Sequence, residues 1–335
     1  MERTKKYRKS EEEERFLKRL NRSLERLERE LIADFTKPAY PTVFIVGPQR
    51  SGTTLLMQMM LKYFSVGYVS NLVARFWMAP YVGLLLNRPY FRNAQFGPEF
   101  ASDLGYTQGY DGPHEFGYFW GRWFGHGKTH CLDASELECI DTALLSKELA
   151  AMESVHDSPF VFKNLIYCSL NIPFLSDNLP KSIFLNCVRD PLFVAQSTLE
   201  SRERLYGTRR AWIGLRPSEV GDLEPHDPVR QVAGQVVLAQ KRIREDLSAL
   251  SEKRWIEVSY KEFCEAPEAC LERIKRKVCA LGGPLRRTGA GIGPVRHTDH
   301  LRLPKADVAL LKRCIHEYEE APIRRFRQGG LPGSQ

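Results

Sequence analysis

The 335-residue sequence has no long apolar stretch, and this absence bears on its relation to membranes. No uninterrupted apolar run approaches the roughly 18 residues that cross a bilayer, so we expect no membrane span. The first residues are charged and contain no apolar core, so they do not resemble a signal peptide. From these two observations we expect a cytoplasmic protein.

Closely paired cysteines are also absent. The eight cysteines are scattered, and no two of them are spaced as Cys-x-x-Cys. Several lie inside apolar runs, where a free thiol packs as a small hydrophobic group. The sequence therefore predicts buried free thiols in a reducing compartment and argues against a disulfide framework.

A third absence concerns nucleic acid. The chain has a net charge of +8, but it shows no recognised nucleic-acid module and no repeat of aromatic and basic residues. We therefore expect no nucleic-acid partner, although an anionic ligand is plausible. The length of 335 residues is enough for one large α/β domain with insertions or for two domains, and the 43% of hydrophobic residues allow a sizeable core to form.

What is present is a loop typical of phosphate binding. The apolar run Val43–Val46 leads directly into Gly47, a second glycine follows at Gly52, and a helical pattern begins at Leu55. Glycines let the backbone approach a phosphate closely, and the unpaired N–H groups at a helix start attract an anion. The stretch therefore predicts a strand, an anion-binding loop and a helix.

This loop lacks the lysine of nucleoside-triphosphatases. Its Gly-four residues-Gly spacing matches the nucleotide-binding loop, but Thr53 stands where that motif has lysine. Arg50 is the cation of the loop. Because the lysine normally reaches the β- and γ-phosphates, its loss argues against ordinary triphosphate hydrolysis.

The run Arg50-Ser51-Gly52-Thr53-Thr54 resembles the 5′-phosphosulfate loop of bacterial-type soluble sulfotransferases, which use 3′-phosphoadenosine-5′-phosphosulfate (PAPS). The family's second motif, a strand followed by arginine and then serine eight residues later, matches Ile183–Val188, Arg189 and Ser197. The resemblance extends from about Pro41 to Tyr260.

The resemblance implies an α/β fold with a P-loop-like parallel sheet of about five strands flanked by helices. The main domain is expected over residues 38–322, with helical and loop insertions at about 66–130 and 206–228 that form the acceptor pocket. A charged helical arm would precede it over residues 1–37, and a flexible tail would follow over residues 323–335.

The donor would be PAPS and the product 3′-phosphoadenosine-5′-phosphate (PAP), with no metal ion. The resemblance places the 5′-phosphate on the loop at Arg50, Ser51, Gly52, Thr53 and Thr54. The remaining donor contacts it implies are Arg189 and Ser197 on the 3′-phosphate, Tyr260 beside the adenine, and Arg296 in a late glycine-rich loop.

The general base departs from the family pattern. The cytosolic branch has a histidine two residues after a lysine at a strand end; Lys163 matches that lysine, but Leu165 stands in the histidine's place. Other branches use a glutamate upstream, which makes Glu115 the first candidate and the neighbouring His114 the second. Lys163 would orient the sulfonate oxygens, and Arg50 would stabilise the leaving phosphate.

The acceptor is expected to be a hydroxylated small molecule, lipid or saccharide, because the predicted cleft is rich in aromatic residues: Trp77, Tyr110, Phe116, Tyr118, Trp120, Trp123 and Trp212. Two alternatives remain open. One is a P-loop kinase, which would need a lysine after Gly52 and an acidic metal ligand. The other is a catalytically inactive nucleotide-binding protein that dimerises.

The N-terminal segment predicts one amphipathic helix over residues 10–35. Its apolar stripe comprises Phe16, Leu20, Leu24, Leu27 and Leu31, and the other faces are almost wholly charged. Such a helix either packs on its own domain or pairs with a second copy of the chain to form a homodimer.

Overall fold

The computed structural model describes residues 2–91 and 102–324. Five strands form a parallel sheet in the order β3-β4-β1-β5-β6, and a two-stranded antiparallel sheet pairs β2 with β7. The strands are β1 Val43–Val46, β2 Phe64–Ser65, β3 Gly67–Tyr68, β4 Phe160–Lys163, β5 Ile183–Val188, β6 Trp255–Ser259 and β7 Arg286–Arg287.

Helices flank this sheet. They are α1 Glu11–Leu31, α2 Thr53–Tyr63, α3 Pro80–Phe91, α4 Gly117–Phe124, α5 Ala134–Glu138, α6 Thr142–His156, α7 Ile172–Asn178, α8 Pro191–Tyr206, α9 Val220–Leu223, α10 Pro228–Ser248, α11 Tyr260–Glu265, α12 Pro267–Ala280 and α13 Lys305–Glu320. Short 3₁₀ helices cover Lys5–Tyr7, Val73–Arg75, Cys168–Leu170 and Glu252–Arg254.

The central strand β1 is buried on both faces. Phe44 and Val46 belong to one hydrophobic cluster, together with residues of α4, α6 and α7, whereas Val43 and Ile45 belong to a second cluster with residues of α2 and α12. A parallel strand covered on both faces reads as a continuous apolar run, which is what the sequence shows here. The order of the strands brings the carboxyl ends of β4, β1 and β5 side by side.

The predicted α/β fold with about five parallel strands is confirmed. The strand expected at Ile183–Val188 has these bounds in the structure, and Lys163, expected at a strand end, is the last residue of β4. The insertion predicted at 66–130 includes residues 92–101, which lie outside the described residues, as does the predicted tail from residue 325 onward.

The N-terminal helix α1 packs on its own domain. The face that it buries lies next to the apolar stripe that was predicted to be buried. Leu17, Asn21 and Glu28 are buried, whereas Phe16 and Leu27 of the predicted stripe are exposed. The buried polar groups cap the next elements: Asn21 Oδ1 accepts from the Met78 N–H, and the Glu28 carboxylate accepts from two N–H groups at the start of α3. The homodimer through residues 10–35 stays a prediction.

All eight cysteines are free, as predicted; six are buried, but Cys139 and Cys279 are exposed. Within the residues that the structure describes, none of the helices is both long enough and apolar enough to cross a membrane.

Candidate functional site

The loop after β1 adopts a backbone that requires glycine at two positions. Gly47 has a φ of 139°, and a Cβ there would lie 2.7 Å from the Cys187 carbonyl oxygen. Gly52 has a φ of 98°, and a Cβ there would lie 2.5 Å from the Tyr260 ring. Because Thr53 begins α2, the first amide groups of that helix have no partner within it and point into the loop. The loop has the geometry of an anion cradle.

Arg50 joins this loop to the second predicted motif. Its φ of 69° is positive, which is uncommon and costly for a residue other than glycine. Its Nε atom donates to the Ser197 hydroxyl at 2.9 Å, so the guanidinium points toward α8. Burial, followed by the nearby Arg189 guanidinium, lowers the pKa of Arg50. Arg50 and Ser197, which are 147 positions apart, therefore form one cluster.

Arg189 completes that cluster at the end of β5. Its Nη1 atom donates to the Arg50 carbonyl oxygen at 2.9 Å, and its guanidinium lies 4.4 Å from the centre of the Tyr260 ring. The same guanidinium pairs with the Asp299 carboxylate at 2.6 Å. The three residues Arg50, Arg189 and Ser197, which were predicted for two separate phosphate sites, thus meet at the edge formed by β1 and β5.

Tyr260 lies between the loop and Arg189. Its side chain is buried, one edge contacts Gly52, and its face carries the Arg189 guanidinium. The residue begins α11 instead of ending the preceding strand, because the Ser259 hydroxyl caps that helix by accepting from the Glu262 N–H. One face of the ring is therefore taken by a cation–π contact with Arg189, and the position of Tyr260 beside an adenine stays a prediction.

Lys163 connects the loop after β1 to Glu115, the first candidate for the general base. Its Nζ atom donates to the Thr54 hydroxyl at 2.9 Å and to Glu115 Oε1 at 2.7 Å. The lysine side chain is only 2% exposed, whereas that of Glu115 is 38% exposed. Glu115 Oε2 takes part in no hydrogen bond among residues 2–91 and 102–324, which leaves one carboxylate oxygen available to a ligand proton.

His114 is less suited to accept a proton. Its Nδ1 atom accepts from the Phe116 N–H at 2.9 Å, and burial lowers its pKa to about 4 against the opposing effect of the Glu115 carboxylate. A neutral imidazole that accepts at Nδ1 carries its proton on Nε2. The ring therefore has no free basic nitrogen in this arrangement.

The backbone at Glu115 is held by two features that the sequence analysis did not identify. The Asn164 side-chain amide donates to the Glu115 carbonyl oxygen at 3.0 Å, and Phe116 has the left-handed conformation with φ 55°. Such a conformation is strained for a bulky residue and persists only where the surroundings impose it. Asn164 is itself buried and follows Lys163 directly, so one strand end positions both the lysine and the glutamate.

The remaining predicted residues are arranged differently. Arg296 is exposed and, within the described part of the chain, makes no ion pair or hydrogen bond. Ser51 is buried and donates to the Pro48 carbonyl oxygen at 2.7 Å, so its hydroxyl stabilises the loop itself. Phe116 and Trp120 are buried in the core, and the prediction that they line an open cleft is wrong for these two residues.

Two further residues at the site escaped sequence reasoning. Ser169 accepts from the Gly47 N–H at 3.1 Å and fixes the start of the loop. Asp299 binds Arg189 across 110 positions of sequence. Neither lies in a recognisable motif, although Asp299 follows three residues after the predicted Arg296. Among the described residues, no group of three or more histidine, cysteine, aspartate or glutamate side chains could hold a metal ion.

With this geometry in place, comparison with known proteins identifies the family. Residues 41–278, more than half of the chain, match the profile described as the sulfotransferase family. No curated protein matches the chain.

Solved structures show similarity at the level of the fold. The sulfotransferase STF1 from Mycobacterium tuberculosis is 12% identical with a TM-score of 0.52, covering 89% of this chain and 81% of that one. The sulfotransferase STF9 from Mycobacterium avium is 14% identical with a TM-score of 0.49, covering 88% of this chain and 72% of that one. At this identity, the first likeness supports the α/β fold alone.

Proposed function

The chain belongs to the sulfotransferase family, and we propose that it transfers a sulfonyl group from PAPS to a hydroxyl group of an acceptor. The observation that carries this proposal is the convergence of two motifs on neighbouring strands. The glycine loop after β1 and the Arg189–Ser197 motif after β5 lie at the same sheet edge, where ligands of open α/β sheets bind.

The residues present fit a nucleotide with two separate anionic groups. The start of α2 and the loop backbone supply N–H groups and a positive dipole end for one anion. Arg189 and Ser197 supply a guanidinium group and a hydroxyl for the other, and Arg50 of the loop, which donates to Ser197, links the two motifs. Arginine binds phosphate through parallel charge-assisted hydrogen bonds, which gives such a site both affinity and orientation.

PAPS supplies the sulfonyl group and the phosphate leaving group of the reaction. In the transfer, a bond forms between the acceptor oxygen and sulfur, while the bond between sulfur and the 5′-phosphate oxygen breaks with its electrons on the phosphate. We assign the acceptor proton to Glu115, whose Oε2 atom is available. Lys163, held between Glu115 and Thr54, is placed to neutralise charge near the transferred group.

The kinase alternative receives no support from this geometry. Thr53 still occupies the lysine position of the triphosphate loop, and Arg189 lies where the adjacent strand of a kinase would need an acidic metal ligand. The inactive-scaffold alternative is disfavoured because Glu115 and Lys163 are assembled beside the loop. The acceptor class, a small molecule, lipid or saccharide, stays a prediction.

Calorimetric titration tests the proposal. We expect PAP to bind wild-type protein with micromolar affinity without metal, and ATP with magnesium to bind far more weakly. Arg189→Ala should abolish PAP binding, whereas Arg209→Ala, which removes an arginine paired with Asp307 on α13, should leave it unchanged. Tight magnesium-dependent ATP binding with no response to PAP would refute the sulfotransferase proposal and favour the kinase.

A further inference from the structure

Arg189, the residue proposed to bind the 3′-phosphate, already holds an anion from its own chain. Its Nε atom donates to Asp299 Oδ1 at 2.7 Å, and its Nη2 atom forms an ion pair with the same oxygen at 2.6 Å. Its Nη2 atom also donates to the Thr298 hydroxyl at 3.1 Å. With Nη1 bound to the Arg50 carbonyl oxygen, all three guanidinium nitrogens are engaged by the protein.

This ion pair is largely withdrawn from solvent. The Arg189 and Asp299 side chains are 6% and 15% exposed, and Tyr260 covers one face of the guanidinium. An incoming phosphate needs the same N–H groups that the carboxylate now occupies, because carboxylate and phosphate bind arginine through the same donor fork. The carboxylate and a 3′-phosphate therefore compete for Arg189.

The segment that carries Asp299 is anchored on both sides, and between the anchors Thr298 also contacts the Tyr260 hydroxyl and Arg302 Nη1, each at the long distance of 3.4 Å. On one side, the Val295 N–H donates to the Cys264 carbonyl oxygen at 2.9 Å. On the other, Gln196 on α8 bonds the His300 carbonyl oxygen and the Arg302 N–H. Residues 296–299 span these anchors without regular secondary structure, and only Thr298 and Asp299 among them contact Arg189.

From these contacts, and resting on the proposed PAPS function, we propose that Asp299 is a specificity-determining residue of the donor site. Its carboxylate occupies Arg189 until a 3′-phosphate displaces it, and residues 296–299 then move between their two anchors. The affinity for the 3′-phosphate is thereby reduced by the work of releasing Asp299. A nucleotide without that phosphate has no group that must displace the carboxylate.

Titration of two adenine nucleotides tests this. Asp299→Asn keeps the shape of the side chain but removes its charge. If the ion pair is populated about ten times more than the released state, the variant should bind PAP about tenfold more tightly. Its affinity for 5′-AMP, which lacks the 3′-phosphate, should change by less than about twofold, because only a group that competes for Arg189 gains from the substitution.

The matched control is Asp307→Asn, which removes the same charge from an aspartate on α13. Asp307 forms an ion pair with Arg209 at 2.8 Å and does not contact the glycine loop. Its PAP affinity should equal that of wild type. Asp299→Ser is measured in parallel, and both variants are compared at a temperature where circular dichroism shows them folded. In wild-type protein, PAP should change hydrogen exchange in residues 296–300.

Each outcome decides between the possibilities. Unchanged PAP affinity in both Asp299 variants, or unchanged exchange in residues 296–300, would overturn the inference while leaving PAP as the ligand. Weaker binding of both nucleotides to the variants would also overturn it and indicate that Asp299 contacts the ribose. If neither wild type nor Asp299→Asn binds PAP, the proposed donor itself is wrong, and the inference fails with it.

Discussion

The glycine loop after β1 and the Arg189 motif each follow a central strand directly, whereas Glu115 lies in a loop that no described strand of the sheet leads into. The register of β1 with β5 places Gly47 and Arg189 at one edge without further help. Glu115 is instead positioned by side chains of another segment, namely Lys163 and Asn164 at the end of β4.

This difference has a consequence for robustness. A position fixed by strand register rests on many backbone hydrogen bonds and changes little when one side chain is altered. A position fixed by two side-chain contacts and a left-handed residue depends on each of them. We therefore expect substitutions around Glu115 to impair transfer while donor binding persists.

The largest effect is expected from Glu115→Gln. The substitution keeps an oxygen for Lys163 but removes the proton acceptor, so the transfer rate should fall by about 10²- to 10⁴-fold. PAP affinity should stay near that of wild type, since the donor contacts lie at the other strand ends. The measurement is PAP release from PAPS with a panel of phenols and aliphatic alcohols, alongside calorimetry with PAP.

The control for this variant is Asp111→Asn, which removes a carboxylate from the same loop outside the site. Its rate should match that of wild type. Retained transfer in Glu115→Gln combined with its loss in His114→Asn would identify His114 as the base. Equal loss of PAP binding and transfer in Glu115→Gln would show that the two regions are not independent.

A smaller effect should follow from Asn164→Ala, which sharpens the comparison because the Asn164 amide donates to the Glu115 carbonyl oxygen while its Oδ1 accepts from the Tyr167 N–H. Loss of the hydrogen bond to Glu115, worth about 1 kcal/mol, should lower kcat by roughly fivefold to tenfold with little change in KM for PAPS. Steady-state kinetics with PAPS varied measures both quantities.

Asn178→Ala is the matched control, because it also removes an amide that donates to a backbone carbonyl oxygen, that of Phe174 on α7. It should leave kcat unchanged. Asn164 has only a structural role if two results are found together. Asn164→Ala and Asn178→Ala would lower the thermal unfolding midpoint equally, and Asn164→Ala would lower kcat no more than Asn178→Ala does.

The smallest expected effect is on the pH dependence of the free energy of unfolding, to which His130 contributes. Burial lowers the pKa of His130 to about 4, and its Nδ1 atom accepts from the Arg216 N–H. Between the ordinary value of 6.5 and about 4, the unfolded chain binds a proton that the native ring does not. The stability contributed by neutral His130 is therefore present above pH 6.5 and is lost as pH falls toward 4.

Urea unfolding of His130→Asn at several pH values checks this sign. The variant should be destabilised relative to wild type at pH 7, and the gap should narrow at pH 5. His226→Asn, a substitution of an exposed histidine, should show no such narrowing. A gap that widens in acid would mean that native His130 gains its proton more readily than the unfolded chain does.

The strand, glycine loop and helix around Gly47 and Gly52 could be predicted because their pattern is local in the sequence. The spacing of Gly47 and Gly52 reflects a backbone that only glycine adopts without clash, so the loop could be recognised from its letters. The strands at Phe160–Lys163 and Ile183–Val188 were equally readable from apolar runs bounded by polar residues.

Contacts between residues far apart in the chain could not be predicted from the sequence. The buried face of the N-terminal helix was misplaced because it contains two polar residues, Asn21 and Glu28. Their side chains accept hydrogen bonds from backbone N–H groups just before α3 and in its first turn. Phe116 and Trp120 were expected at a cleft, but aromatic side chains enter the core wherever neighbouring helices provide space.

From the residues alone, the α/β class, the glycine loop between a strand and a helix, and the arginine–serine motif could be recognised, because each depends on residues a few positions apart whose backbone geometry is set locally. Only the tertiary structure decided that Lys163 would link Thr54 to Glu115, that His114 would be buried with its basic nitrogen engaged, and that Asp299 would occupy Arg189. The contacts of Lys163 and of Asp299 join segments about 50 to 110 positions apart, and packing of whole elements, not local preference, brings such segments together.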